Sequence, residues 1–480
     1  MKFAAVDTES INLHPYNGTI WMVGWCLADC KVKIASDPNG LKQCPPALRV
    51  ILEDPTICKV FHNFEHDGPY IELCWGVRVV NVWDTMVCEK IIQGVSMPDT
   101  KVSDEWRQAH SASLKFTLPR YGFPSPNKDI TKQFVNRPKG KKFTREENDY
   151  LVDDVQYLLP LRKAQEYLLT RDGQLETALL NNKFIERVSR MRVLGIGVDK
   201  QKWLEIAANN LAEYNRSLAT LPKSVANWNS PAQVKEYFKQ KYGIRFLKMK
   251  NGVPERDKKT GKEIESFSEL KNVFLKTRNP MLARYIIVRD MYSDATGYGT
   301  TWLYREDGSS TIDADGRIRA SFDISKNTGR VSTSNPNLLG LPRDGNQRSA
   351  IVPRKGHVFV IGDFAGQEIG IMAAASGEKL WIDALLRGDD VHALMGQMLS
   401  PERWKMATEK GCTFPKKCKC AKHKSIREPA KESNFLLAYG GGPSKLIERI
   451  IKNMFAKGIR NVSILYLFIA LLFESCNVYN

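Results

Sequence analysis

The sequence predicts a multidomain α/β protein, and three observations carry that expectation. At 480 residues the chain has room for about three domains. Its opening reads as short apolar or alternating runs separated by turn residues, the pattern of a sheet. From about residue 172 the character changes to long stretches with helical spacing.

Taken in order, "FAAVD" (3–7) and "TIWMVGWCLA" (19–28) are apolar runs bounded by turn residues, and "CKVKIAS" (30–36) alternates, so all three predict strands. A Pro-containing apolar segment follows near Leu48, then the strand-like "ICKVF" (57–61) and an amphipathic stretch over 66–76. Residues 136–149 are basic and polar and read as a surface loop before "DYLVDDVQYLLPL" (149–161) turns helical. Within 201–221, Leu204, Ala207, Ala208, Leu211 and Leu218 keep helical spacing. The Lys/Gly/Asp-rich stretch 248–262 predicts a loop or hairpin tip. A strand-rich piece spans 317–361, and helices return after Glu368. Neither internal repeats nor low-complexity tracts interrupt this order.

Composition narrows the function class. With 42% hydrophobic and 26% charged residues the chain is no disordered tail, collagen-like rod or disulfide miniprotein. Seventy-one Lys and Arg against 53 Asp and Glu leave +18, which points to a polyanion, nucleic acid or an acidic membrane surface; the alternative is a merely basic soluble protein. The ten Cys form no disulfide framework: six are scattered through the first ninety or so residues, Cys412, Cys418 and Cys420 bunch together, and Cys476 is alone. With no secretory signal at the start, a reducing cytoplasm is the natural reading. The apolar run Val462–Phe473 is shorter than the roughly 20 residues a bilayer-spanning helix needs, so no membrane role follows.

The first chemical constellation is acidic. Asp7 and Glu9 stand two apart at the end of the first strand, so alternation puts both carboxylates on one face. Asp67 lies four residues after Asn63, and Asp154 four after Tyr150, the latter pair sharing a helical face. Several carboxylates in one place suit two hard divalent ions, Mg²⁺ or Mn²⁺, which together activate water and stabilise the leaving oxygen of a phosphodiester. Any one of these Asp alone reads as a surface residue or a helix cap.

Asp7-x-Glu9, Asn63-xxx-Asp67 and Tyr150-xxx-Asp154 resemble the three motifs of the DEDD proofreading exonucleases in the version with a tyrosine, and "WDTM" at Asp84 fits the strand after the second motif. The resemblance covers about residues 1–165 and implies a ribonuclease-H-like fold with metal-dependent 3′–5′ removal of nucleotides. It further implies that Asp7, Glu9, Asp67 and Asp154 bind the metals and that Tyr150 orients the attacking water.

The second constellation is a helix. In "REPAKESNFLLAYGGG", Arg427, Lys431, Phe435 and Tyr439 recur at steps of four, one face with two cations and then two aromatics. Cations can hold a triphosphate and an aromatic can stack on a base or sugar; a half-buried amphipathic helix with solvated basic residues is the plainer alternative. Ser425 and Glu428 have capping-box spacing, with Pro429 in the first turn.

"TGRVSTSNPNLLGLP" (328–342), "IGDFAGQEIG" (361–370), "DVHALM" (390–395) and this helix follow in the order seen in family A DNA polymerases. "MRVLGIGVD" (191–199) and "NSPAQV" (229–234) resemble that family's thumb-flanking segments, and the form is similar to bacteriophage replicative polymerases. The resemblance implies that Asp363 binds the catalytic metals and Glu368 is the steric gate against ribose. Arg427 and Lys431 would grip the incoming triphosphate, with His392 touching its phosphates, Phe435 packing on the sugar and Tyr439 at the templating position. Arg330 matches a primer–template contact.

The chain departs from the pattern at Gly370 and Ile426, where the family usually has Arg. The family also needs a second palm carboxylate downstream of Tyr439, and this chain has no Asp after Asp390. Its last residues read like an interrupted-gene tail. A third constellation, Cys412, Cys418, Cys420 and His423, is a Zn²⁺ ligand set in a basic loop. Its Cys-x-Cys spacing is tighter than that of a zinc finger, and the alternative is a basic insertion with reduced thiols; if formed, the site is structural.

The expected organisation is therefore an exonuclease domain (1–170), a thumb with palm-flanking helices (171–315), a palm with the metal-binding Asp (316–380), fingers with the nucleotide helix (381–457) and an atypical tail (458–480). The leading expectation is a phage replicative polymerase with proofreading, in a bacterial cytoplasm, using Mg²⁺ or Mn²⁺, primer–template DNA, single-stranded 3′ ends and dNTPs. A separate polypeptide would supply the rest of the palm. A stand-alone exonuclease with a vestigial polymerase half and a non-catalytic DNA-binding fragment are the alternatives.

Overall fold

The computed structural model describes residues 2–438, except 12–13, 29, 95–102, 136, 251–252, 258–259, 306–307, 325–329, 343–345, 365, 407–410 and 419. Tyr439 and the tail 458–480 lie outside the described residues. The chain forms two compact units, one from Met1–Ala207 with Tyr298–His357, the other from Ala208–Gly297 with the described residues from Val358 onward.

The first unit is built on a mixed five-stranded sheet: β1 (Lys2–Ile11), β2 (Thr19–Leu27), β3 (Lys33–Ser36), β4 (Ile57–Phe61) and β5 (Val82–Asp84), in the order β3-β2-β1-β4-β5. β2 runs antiparallel to β1, whereas β4 is parallel to β1 and β5 parallel to β4. Both faces of the sheet are covered, as the continuous apolar runs of β2 and β4 require. Alternation in β1 divides the core: Ala5 joins the cluster containing Tyr150, Leu151 and Val155, while Ala4 and Val6 join that of Phe64, Tyr70 and Ile71.

Two local devices set the helices over this sheet. The Asp84 carboxylate, 1% exposed, accepts from Met86 N (2.8 Å) and Val87 N (3.1 Å), capping helix Thr85–Gln93. It also accepts from Phe64 N (2.7 Å) and Asn63 N (3.2 Å) at the start of helix Phe64–Trp75, so one buried acid satisfies orphan donors of two helices. Helix Arg145–Gln156 opens with a capping box between Thr144 and Glu147, and Glu147 also pairs with the buried Arg137. Residues 145–149 are thus the first turn of a helix, and the loop expected over 136–149 ends earlier.

The compact unit runs past the 1–170 segment expected for the exonuclease domain. Helix Leu175–Leu194 covers the edge of β5, its Glu186 accepting from Val82 N (2.9 Å) and its Asn182 from Asp84 N (2.7 Å), while Arg192 pairs with Glu65 (2.8 Å). Side chains there occupy donors that an open strand edge would leave unpaired. A small sheet of Ile196–Val198, Arg317–Ile318 and Ile351–Val352 completes the unit, beside Trp203 and Trp302 stacked 4.1 Å apart.

The strand-rich reading of 317–361 is only partly met. Four strands of two or three residues form there, and 353–364 has none; Val360 is 94% and Ile361 89% exposed. The buried side of helix Lys200–Leu218 is carried by Trp203, Ile206, Ala207 and Tyr214, whereas Leu211 and Ala208 face solvent. The aromatics sit one position off the aliphatic stripe and bury more area, so they set its rotation.

In the second unit, Tyr214, Trp228, Tyr237, Phe238 and Tyr285 make an aromatic core among helices Pro231–Tyr242, Leu270–Thr277 and Pro280–Gly297. The hairpin expected over 248–262 forms as strands Met249–Lys250 and Val253–Pro254. Beyond Val358, helices Gln367–Ser376, Lys379–Leu386, Val391–Leu399, Pro401–Met406 and Ala421–Ala438 follow. The last starts at Ala421, so Ser425 is inside it, its hydroxyl donating to Lys422 O (2.7 Å), and the expected Ser425–Glu428 cap does not form. Pro429 likewise lies in the helix interior.

Candidate functional site

Asp7, Glu9 and Asp154 converge: one carboxylate oxygen from each lies within 4.8 Å of the others. Asp7 and Glu9 come from one face of β1, and Asp154 from helix Arg145–Gln156 packed on that face. Gly24 permits this approach. It stands directly across from Asp7 on β2, and a Cβ there would meet Leu151 Cγ and Val155 Cγ2 of the helix at 3.0 Å.

Tyr150, one turn before Asp154 and 3% exposed, belongs to the same group. Burial first, then Glu9, Asp154 and Asp7, push its phenol far above the usual tyrosine range. Its hydroxyl also hydrogen-bonds the Asp154 side chain, which places it as a donor toward the carboxylates. An all-carboxylate donor set fits hard divalent ions such as Mg²⁺ or Mn²⁺.

Asp67 reaches β1 from the opposite side. Its Oδ1 accepts from Thr8 Oγ1 (2.5 Å) and Thr8 N (3.2 Å), so it flanks the three-carboxylate group through the residue between Asp7 and Glu9. Burial pushes the Asp67 carboxyl up to about 7 against those two hydrogen bonds. Thr8 escaped the sequence reading because its partner is 59 residues away; no local spacing signals it.

In the second unit the face of helix Ala421–Ala438 meets helix Val391–Leu399. Asp390 caps the latter through His392 N (3.1 Å) and Ala393 N (3.2 Å), and Arg427 Nε donates to Asp390 Oδ2 at 2.5 Å. Gly396 lets the helices close, since a Cβ there would lie 3.1 Å from Trp404 and 3.3 Å from Ile426. Asn434 Nδ2 donates to His392 Nδ1 (3.0 Å), and Phe435 packs 5.5 Å from the imidazole. Burial, and then Arg427, push His392 down to about 4. It is neutral at pH 7, with its Nε2–H able to donate to an anion.

The structure thus brings Arg427, His392 and Phe435 together, with Lys431 half-buried on the same helix. Arg427, expected on a triphosphate, rests on Asp390 here. Phe435 shares an apolar cluster with Ile369, the neighbour of Glu368 in helix Gln367–Ser376. Asp363 is exposed, and among the described residues it joins no group of three potential ligands. Arg330 is also exposed, and Tyr439 is not described. Cys412, Cys418, Cys420 and His423 do gather into one cluster.

Comparison with known proteins finds two family matches along the chain. The profile of DNA polymerase family A matches residues 200–460, and that of the 3′-5′ exonuclease matches residues 1–169. DNA polymerase I of Lactococcus lactis is 29% identical over 243 residues, 48% of this chain and 24% of that one. DNA polymerase I of Treponema pallidum is 24% identical over 373 residues, 75% of this chain and 34% of that one. These matches span only a quarter to a third of the relatives' lengths. Among solved structures, the POL domain of Pol1 from M. smegmatis, in complex with DNA primer-template and dNTP, superposes with a TM-score of 0.65 at 18% identity, covering 98% of this chain and 72% of that one.

Proposed function

The chain belongs to DNA polymerase family A and carries a 3′–5′ exonuclease domain, and from that premise we propose that it trims DNA 3′ ends and handles dNTPs on a primer–template. The observation that carries the nuclease half is the convergence of Asp7, Glu9 and Asp154 beside Tyr150. These carboxylates, with Asp67 beside them, would hold Mg²⁺ or Mn²⁺, which when bound supplies an activated water and stabilises the leaving oxygen. Tyr150, held protonated, orients that water by donating to it. The apolar packing of Leu151 and Val155 against β1 and β2 keeps helix Arg145–Gln156 in register for the task.

The polymerase half of the proposal rests on the family and on the Arg427, His392 and Phe435 group. A phosphate arriving at Arg427 would compete with Asp390, and the neutral His392 Nε2–H would supply a second donor. The motif resemblance supports a replicative role of the bacteriophage kind. A second reading, favoured by the finding that Asp363 joins no group of three potential ligands among the described residues, is that the 480-residue chain by itself trims without extending. Two-metal transfer needs carboxylates on both ions.

One experiment addresses both. The purified chain is given a labelled primer–template, Mg²⁺ and dNTPs. The proposal expects 3′ trimming that falls at least ~10³-fold in Asp7→Ala with Glu9→Ala, while DNA binding is retained. Unchanged trimming in that double variant refutes the nuclease assignment. Extension by the double variant refutes the second reading.

A further inference from the structure

Neither the exonuclease nor the polymerase reading uses the cluster at Cys412, Cys418, Cys420 and His423, whose three thiols lie in the segment between helices Pro401–Met406 and Ala421–Ala438 and whose histidine is in the first turn of the latter. We propose that these four residues hold one structural Zn²⁺ ion, which staples that segment to the start of helix Ala421–Ala438.

Geometry carries the assignment. The four ligand atoms lie within 4.8 Å of one another, and His423 Nδ1 is 3.3 Å from both Cys412 Sγ and Cys418 Sγ. A tetrahedral zinc with bonds of about 2.3 Å to sulfur and 2.0 Å to nitrogen separates its ligands by about 3.5–3.8 Å, so small shifts admit the ion. His423 is 1% exposed, and its Nε2 lies 3.2 Å from the Trp404 carbonyl oxygen. That carbonyl can only accept, so the proton is on Nε2 and the Nδ1 lone pair faces the sulfurs. A ring nitrogen held by a backbone carbonyl is how zinc-binding histidines are oriented.

The histidine is also fixed by packing: its ring stacks on Trp404 at 4.2 Å and 8°, and Phe414 packs on Trp404 at 5.0 Å. Three thiolates and a neutral imidazole around Zn²⁺ carry one net negative charge, and the exposed Lys416, Lys417, Lys422 and Lys424 flank it. Four protein ligands leave no open position, so the site does not perform chemistry. Its effect is mechanical. The same segment delivers the Pro415 carbonyl to Asp390 N (2.8 Å), and Asp390 is the partner of Arg427. The ion therefore braces the pair of helices that carry Arg427 and His392.

The test is made on the full 480-residue chain purified under reducing conditions. Elemental analysis should find about one zinc per chain. Cobalt exchanged into the unmodified chain should show tetrahedral d–d bands and thiolate-to-cobalt charge transfer. Cys418→Ser with Cys420→Ser should lose both signals, and His423→Ala should shift the d–d bands while leaving charge transfer. Removing the metal with a thiophilic chelator should speed hydrogen exchange over 411–425 by at least tenfold without changing it in β1. A chain that takes up no zinc when supplied with it, or binds cobalt without thiolate charge transfer, overturns the proposal. The spectra are read on the unmodified chain, so a misfolded variant cannot mimic that result, and no activity enters the readout.

Discussion

His392 shows how one side chain ties stability to pH. Its folded value, about 4, lies below the ordinary 6.5 because burial and Arg427 both oppose its charging. Between those values the unfolded chain takes up a proton that the folded chain refuses. The stabilisation is therefore complete above pH 6.5 and lost as pH falls through 4, on the order of 3 kcal/mol in all. Asp390 adds to the low end: although burial works the other way, Arg427 holds its carboxyl below the usual range, and that contribution disappears only as the acid protonates. Denaturant titrations should show stability of the second unit falling from pH 6.5 to 4, and His392→Gln should flatten the fall. An equal slope in both proteins would remove His392 as its source. At this scale Asp7 and Glu9 were legible, because strand alternation alone places them together. The Thr8–Asp67 and Asn434–His392 bonds were not, since each joins residues dozens of positions apart.

At the scale of elements, the exonuclease group depends on how closely helix Arg145–Gln156 lies on the sheet. The bare Cα of Gly24 sets that distance. Gly24→Val would drive methyl groups into Leu151 and Val155 and lift the turn carrying Tyr150 and Asp154 away from Asp7 and Glu9. The expected cost is about 1–3 kcal/mol of stability, together with a fall in 3′ trimming of at least tenfold at a temperature where the variant is folded. Trimming and melting temperature both equal to the parent's would show that the helix is not held at this contact. The strands β1, β2 and β4 were readable from their apolar runs. The start of the helix was hidden in a polar sequence because Thr144 and Glu147 act by capping, and the rotation of helix Lys200–Leu218 was hidden because Trp203 and Tyr214 outweigh the aliphatic stripe.

For the whole molecule, one quantity, the net charge of +18, produces opposite responses to salt. Binding to DNA releases counterions from the phosphates, so affinity should fall steeply as salt rises. Self-association should rise instead. Val358, Val360, Ile361 and Phe364 are 82%, 94%, 89% and 79% exposed in one run, a segment with the composition of a strand that pairs with no strand among the described residues. Such an edge pairs with another copy when nothing opposes it. At low salt the like charge of two molecules opposes it over about 30 Å at 0.01 M, and at 1 M that reach shrinks to about 3 Å. Light scattering should therefore show larger species as salt increases, over the same range in which DNA is released. Val360→Lys places a charge in the run without touching the carboxylates of the exonuclease group. It should suppress the salt-induced association several-fold while leaving 3′ trimming unchanged. Association that persists undiminished in Val360→Lys would move its origin away from this segment, and association that falls with salt would mean that charge, not apolar surface, holds the copies together.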